Sequence, residues 1–177
     1  MPRCLHGSPA SPAGAASTVS SFLVSGRPEA FRRNVGLMLI GPDRRIFAGS
    51  RADRSDSWQM PQGGIDDGES PVEAACRELC EEVGTSKALL LRESARWITY
   101  EVPEDRRPEH WRGRWRGQAQ KWFALAFTGI DADIDIHAHD KEFDAWKWVT
   151  KQELLSLIVP FKRTVYEAVF EEFSDLL

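Results

Sequence analysis

Apolar residues along this chain fall into two rhythms, short dense runs and longer stretches in which they recur every three or four positions. Residues 34–40 form an apolar run, Gly41-Pro42-Asp43 is a turn signal, and residues 45–48 resume the run, which predicts a hairpin. Residues 57–68 are dense in Gly and Pro and predict a loop leading into the strongest helix of the sequence. Ser70 is placed to cap that helix, Pro71 occupies its first position, Glu73 can bond back to the cap, and Gly84 supplies a left-handed stop. Between them Val72, Ala75, Cys76, Leu79 and Val83 predict one apolar stripe, with the acids on the other face. Further on, residues 96–102, 120–128 and 142–149 are rich in aromatic and β-branched side chains and predict strands. Residues 151–158 and 162–177 predict two helices that cover the sheet, the second carrying Val165, Val169 and Phe173 at four-residue steps. Residues 103–117 predict a long, arginine-rich connecting loop. The sum is an α/β domain around a mixed sheet.

Composition sharpens this picture in three ways. At 177 residues, 42% hydrophobic and 28% charged, the chain fits one globular domain rather than a fibre or a disordered polymer. A formal charge of −4 argues against a coat along DNA or any long nucleic acid, so a phosphate-gripping surface has to be local. No apolar run is long enough to span a bilayer, which leaves no membrane partner. Cys4, Cys76 and Cys80 are odd in number and lack the spacing of a disulfide or zinc framework, which favours a reducing, cytoplasmic setting. Residues 1–28, rich in Ser, Ala, Pro and Gly and without acids, read as a disordered extension or, alternatively, an organelle-targeting segment. Residues 29–177 then form the folded domain.

The chemistry concentrates on the capped helix. Glu78, Glu81 and Glu82 stand at i, i+3 and i+4, close enough for one small ion to meet all of them. Unaccompanied, like charges at this spacing repel, and acids at a helix C-terminus also oppose its dipole. A hard divalent cation reverses the sign, and magnesium in particular prefers a few carboxylates together with substrate phosphates. The competing interpretation is a solvated acidic face. Against it stand the apolar stripe, which docks the helix on a core, and the glycine-rich loop before it, whose backbone can approach a ligand closely.

These residues carry a family resemblance. Gly63, Glu69, Arg77, Glu78, Leu79, Glu81, Glu82 and Gly84 match the Nudix box G-x5-E-x7-R-E-U-x-E-E-x-G-U, U being aliphatic, and only Thr85 departs from it at the last position. The resemblance implies the Nudix fold, an α/β/α sandwich around a mixed β-sheet with a loop-helix-loop catalytic motif. It further implies that Glu78, Glu81 and Glu82 bind Mg2+, for which Mn2+ can substitute, with the Gly63 carbonyl as an added ligand. Glu69 and Arg77 would pair and hold the loop to the helix. Such ions neutralise bridging phosphate oxygens and acidify a bound water that attacks phosphorus in line.

Beyond the box, Arg33-Asn34-Val35-Gly36, Trp58-Gln59-Met60-Pro61-Gln62-Gly63-Gly64, Gly117-Gln118-Ala119-Gln120-Lys121-Trp122-Phe123, Glu142-Phe143-Asp144-Ala145-Trp146-Lys147-Trp148 and Pro160-Phe161-Lys162-Arg163 are similar to RNA pyrophosphohydrolases and to diadenosine tetraphosphate hydrolases. Arg33 and Phe31 depart from the proline and tyrosine usual in that branch. By this resemblance Glu142 would be a further metal-facing carboxylate or base. Arg32, Arg51, Lys121 and Lys162 would grip phosphates, Gln59 would line the substrate site, and Phe161 and Tyr100 would stack on a base. The arginines and tryptophans of residues 106–116 suit single-stranded nucleic acid or a polyphosphate, and equally suit a solvated loop with its tryptophans folded back. The expected reaction is removal of pyrophosphate from the 5′-triphosphate end of RNA. Hydrolysis of dinucleoside polyphosphates is the alternative, and a nucleotide-sensing module without turnover the alternative of another class.

Overall fold

Strand β1 (Phe31–Ile40) is the spine of the protein, and its side chains feed two separate cores. Val35, Leu37 and Leu39 point into one, Met38 and Ile40 into the other, as a strand with both faces covered requires. A computed structural model describes residues 30–53, 57–139 and 141–177; the expected extension of residues 1–28 lies outside the described residues. β1 runs parallel to β7 (Gly117–Phe127), in register from Phe31 opposite Gly117 to Ile40 opposite Ala126. The far edge of β7 pairs antiparallel with both β5 (Ala88–Glu93) and β6 (Ile98–Glu101).

The other edge of β1 is where the site is made. β2 (Ile46–Arg51) meets β1 only at Ile46 opposite Ile40, and pairs along its outer edge with β8 (Phe143–Val149). From that single contact β1 and β2 diverge. The wedge between them is filled by β3 (Trp58–Gln59), which pairs with β2, and β4 (Gln62–Gly64), which pairs with β1. Met60 and Pro61 join the two short strands, and the Pro61 carbonyl accepts from Leu37 N–H at 2.9 Å. The expected hairpin over residues 34–48 is present at its turn, where Gly41 N–H donates to Arg45 O at 2.8 Å and Ile40 faces Ile46, but beyond it the strands open into a jaw in which a glycine-rich segment takes the place of further β1–β2 pairing.

Helix α1 (Pro71–Glu78) and its continuation Leu79–Val83 pack on the core of Leu37, Phe47 and Phe123. Helices α2 (Lys151–Leu157) and α3 (Arg163–Glu172) cover the opposite core, in which Trp122 meets Tyr166 edge-on at 5.7 Å. The layers are thus helix, mixed sheet, helices. The expected caps of α1 are present: Ser70 accepts from Glu73 N–H while Glu73 accepts from Ser70 N–H, and Gly84 takes φ 69°.

Two expectations need correction. The buried stripe of α1 is Ala74, Ala75, Leu79 and Val83, whereas Val72 and Cys76 are exposed. Consequently Glu78 and Glu82 lie on the inner face, only 7% and 8% exposed, and Glu81 alone of the three acids faces outward. The inner face tolerates carboxylates because the β4 strand beneath it offers glycine and a free N–H in place of bulk. Second, β5 is a strand the pattern does not announce: Ala-Leu-Leu-Leu-Arg-Glu has no alternation, and Leu89, Leu90 and Leu91 are each about half exposed at the sheet edge.

Candidate active site

The helix acids meet the wedge through two backbone features. A Cβ on Gly63 would lie 1.8 Å from Glu78 Oε1, so the residue opposite Glu78 has to lack a side chain. Gln62 N–H donates to Glu82 Oε2 at 2.9 Å and fixes the second buried carboxylate. The helix reaches this geometry by widening into one π turn over Leu79–Val83, a local expansion common at functional sites.

Arg77 organises the remaining acids. Its guanidinium donates to both oxygens of Glu69 (3.0 and 2.9 Å), to Gly64 O (2.7 Å), to Glu78 Oε1 (2.6 Å) and to Glu81 Oε2 (2.9 Å). Five donors thus find five acceptors, which saturates the side chain. The bond from Arg77 holds Glu69 below the usual carboxylate range. Burial pushes Glu78 up, and pushes Glu82 well up, with repulsion from Glu142 as the next cause.

Glu142 arrives from the start of β8. Its carboxylate accepts from Arg51 Nη1 at 2.9 Å, its carbonyl from Ala52 N–H, and burial raises its pKa. Arg51 in turn donates to both oxygens of Asp53 at 2.6 and 2.8 Å. A guanidinium already shared by two carboxylates positions Glu142 as much as it faces a ligand.

On the α3 side of the sheet a cavity of about 400 Å³ opens beside these acids. Tyr100, Phe161, Lys162, Gln59, Gln62 and Arg51 form its inner wall. Tyr100 and Phe161 lie 6.2 Å apart at 31°, and Tyr100 donates to Gln118 Oε1 at 2.6 Å. Lys162 Nζ donates to Gln59 Oε1 at 3.0 Å and to Gln62 Oε1 at 3.2 Å; burial, then Arg51, push its pKa down to about 7. Gln59 Nε2 is buried without a hydrogen-bond partner and belongs to the cavity wall. The outer wall is the arginine-rich connection, in which Trp111 is buried against Trp115 and Arg106, Arg107 and His110 reach the cavity.

The structure brings together Gly63, Glu69, Arg77, Glu78, Glu81 and Glu82 around the helix, and Arg51, Gln59, Tyr100, Phe161 and Lys162 around the cavity, with Glu142 at the seam. Arg32 lies over the β4 backbone, its Nη2 only 2.0 Å from where a Cβ on Gly64 would stand. Lys121 stands apart from the cavity, on the α1 side of β7 opposite Val35, paired with Glu93 at 3.1 Å. Gly84 closes the helix. Sequence reasoning missed Asp53, Gln62, Gln118, Gln120 and Tyr166 as parts of the site. A signal existed for two of them, since Gln118 and Gln120 alternate with Trp122 on one face of a core strand.

Every donor offered by the acids is oxygen, and two of the carboxylates are buried with more negative than positive neighbours. That chemistry fits a hard divalent cation. As they stand, no three acids among the described residues converge into a closed ligand set, and Arg77 donates to both Glu78 and Glu81.

The NUDIX domain family matches residues 30–169. The chain belongs to the Nudix family. This Nudix hydrolase is 54% identical over 144 residues to an RNA pyrophosphohydrolase of Rhodospirillum rubrum, covering 81% of this chain and 87% of that one. It is 49% identical over 148 residues to an RNA pyrophosphohydrolase of Rickettsia prowazekii, covering 83% and 92%. The fold is shared with the E. coli dihydroneopterin triphosphate pyrophosphohydrolase (TM-score 0.61, 23% identity, 78% of this chain and 96% of that one). It is also shared with a C. elegans Ap4A hydrolase (TM-score 0.60, 15% identity, 81% and 98%). Nudix hydrolases generally use divalent metals. Among the described residues no helix is long and apolar enough to cross a membrane.

Proposed function

We propose that this Nudix hydrolase removes pyrophosphate from the 5′-triphosphate end of RNA, using Mg2+, for which Mn2+ can substitute. The observation that carries the reading is that Gln62 joins a buried carboxylate, through its N–H, to a cationic and aromatic cavity, through its side chain. A triphosphate spanning that residue has its reacting phosphorus beside the acids and its nucleoside beside Phe161 and Tyr100. The names of the relatives at about half identity favour RNA as the carrier of that triphosphate.

In this reading Glu78, Glu81, Glu82 and Glu142, with the Gly63 carbonyl, hold the cation. Bound there, the ion supplies charge neutralisation at the phosphates and a more acidic water. Glu142 or Glu82 takes the proton of the attacking water; burial raises the pKa of both, which makes either a stronger base than an exposed carboxylate. Lys162 and Arg32 hold phosphate oxygens, Arg51 holds Glu142 in place, and Gln59 Nε2 donates to the ligand. Lys121, paired with Glu93 on the α1 side of β7, holds no phosphate in this reading. Glu69, Arg77 and Gly84 keep the helix and loop in register. Trp111 and the rim that carries Arg106 and Arg107 bound the outer side of the cavity.

The decisive measurement is a side-by-side assay of triphosphorylated RNA and diadenosine tetraphosphate under the same magnesium, with product analysis. A specificity constant at least tenfold higher for the RNA is expected. A preference for the dinucleotide would assign the enzyme to dinucleoside polyphosphates instead.

A further inference from the structure

Four buried or partly buried amides run in a line beneath the cavity. Gln120 Nε2 donates to Asn34 Oδ1 at 2.7 Å and to Gln62 Oε1 at 3.1 Å, with Gln118 Oε1 farther off at 3.5 Å; Lys162 Nζ donates to Gln62 Oε1 at 3.2 Å and to Gln59 Oε1 at 3.0 Å. Asn34, Gln59 and Gln120 are each 1% exposed, and Lys162 is 7% exposed.

The orientation of the line is set at its far end by a cation. In its protonated form Lys162 has protons and no lone pair, so the amide oxygens of Gln59 and Gln62 face it. With its oxygen committed to Lys162, Gln62 can accept from Gln120 but not donate to it, so the Gln120 amide turns its NH2 that way. The second proton of that NH2 meets Asn34 Oδ1. Reversing any amide in the line sets donor against donor or oxygen against oxygen.

The ends of the line stand on different supports. Asn34 and Gln120 sit opposite each other on β1 and β7, the longest paired strands of the sheet, whereas Lys162 sits on the short turn Pro160–Lys162 between α2 and α3. The end held by strand pairing therefore aims the end carried on a turn. Gln62 lies between them and its own N–H holds Glu82, so the same residue that receives the aim also fixes a carboxylate.

We propose that Gln120, backed by Asn34, is a positioning residue: it sets the Gln62 amide so that Lys162 is held toward the substrate cavity in register with the carboxylates. Neither side chain is assigned a contact with substrate. The inference rests on the proposed role of Lys162 in gripping the polyphosphate, and it applies whichever polyphosphate the enzyme cleaves.

The test is a double-mutant cycle of Gln120→Glu and Lys162→Met, with melting temperatures as a control and kcat/KM read on whichever of triphosphorylated RNA or diadenosine tetraphosphate the wild type turns over. Gln120→Glu keeps the shape but offers only acceptors, which turns Gln62 over and presents its NH2 to the ammonium. It should lower kcat/KM about 100-fold in the wild-type background and less than threefold in the Lys162→Met background. Gln120→Met, which removes the donor without adding charge, should show the same pattern with a loss of about 10-fold, and serves if the first variant does not fold. Losses that multiply in either double variant, or a Gln120→Glu enzyme with unchanged kcat/KM, would overturn the proposal. If RNA is left uncut and the dinucleotide is cleaved, the substrate assignment falls while the cycle is still read.

Discussion

At the scale of single residues, the site is defined by carboxylates placed where charge is unwelcome. Glu82 is the sharpest instance, 8% exposed, held by one backbone N–H and facing Glu142. Replacing it with Gln keeps the Gln62 bond and removes the charge, and should lower kcat by about 10²- to 10⁴-fold. The same change should stabilise the metal-free protein. Because the folded-state pKa of Glu82 lies above its ordinary 4.5, the folded form keeps a proton that the unfolded chain has released. Stability from this group is therefore complete below about pH 4.5 and declines as pH rises through the folded value. Thermal melts without metal should place Glu82→Gln above wild type at pH 8 and level with it near pH 4; a lower melting point at pH 8 would mean that the carboxylate is not strained. The acids themselves were legible in the sequence, since the box fixes their identity and spacing. Their burial was not, because the amphipathic pattern puts charge on the wet side of a helix and only the Gly63 and Gln62 backbone explains the exception.

At the scale of elements, the capped helix shows how far local signals reach. Ser70, Pro71, Glu73 and Gly84 each do what their chemistry predicts, so both ends of the helix were readable. The π turn between Leu79 and Val83 was not, since nothing in a 3.6-residue rhythm distinguishes i→i+5 bonding over five residues. Gly84 closes that turn at φ 69°, and a Cβ there would stand 2.0 Å from Asp135 O. Gly84→Ala should cost about 1–3 kcal/mol, a fall of several degrees in melting temperature. Unchanged melting would show that the loop of Asp135 yields freely. Thr85, the single departure from the box, is buried and accepts from Lys87 N–H at 3.2 Å, so its hydroxyl has found a backbone partner where an aliphatic group would only pack. Strand β5 escaped prediction for the opposite reason, an unbroken run of leucines that carries no period.

At the scale of the whole molecule, the jaw between β1 and β2 depends on a helix far away in sequence. Met60 N–H, at the apex of the wedge, donates to Tyr166 Oη at 2.9 Å, and both groups are buried. Tyr166→Phe should leave that N–H without a partner, cost about 1–3 kcal/mol, and lower activity through Gln59 and Gln62 on either side. Full activity at unchanged stability would show the wedge to be self-supporting. Such links across 106 residues are invisible to periodicity, which sees Tyr166 only as one more core position. Arg77 has a consequence of another kind. By donating to Glu78 and Glu81 from within the chain, it offsets part of the motif's negative charge whether or not the surrounding medium supplies a cation. Chelation with EDTA should then abolish turnover while the far-ultraviolet circular dichroism spectrum stays as it was, and resupplied magnesium should restore the rate on mixing rather than at the pace of refolding. Starved of its ion, the enzyme waits intact, and a spectrum that collapses on chelation would show that the guanidinium cannot stand guard alone.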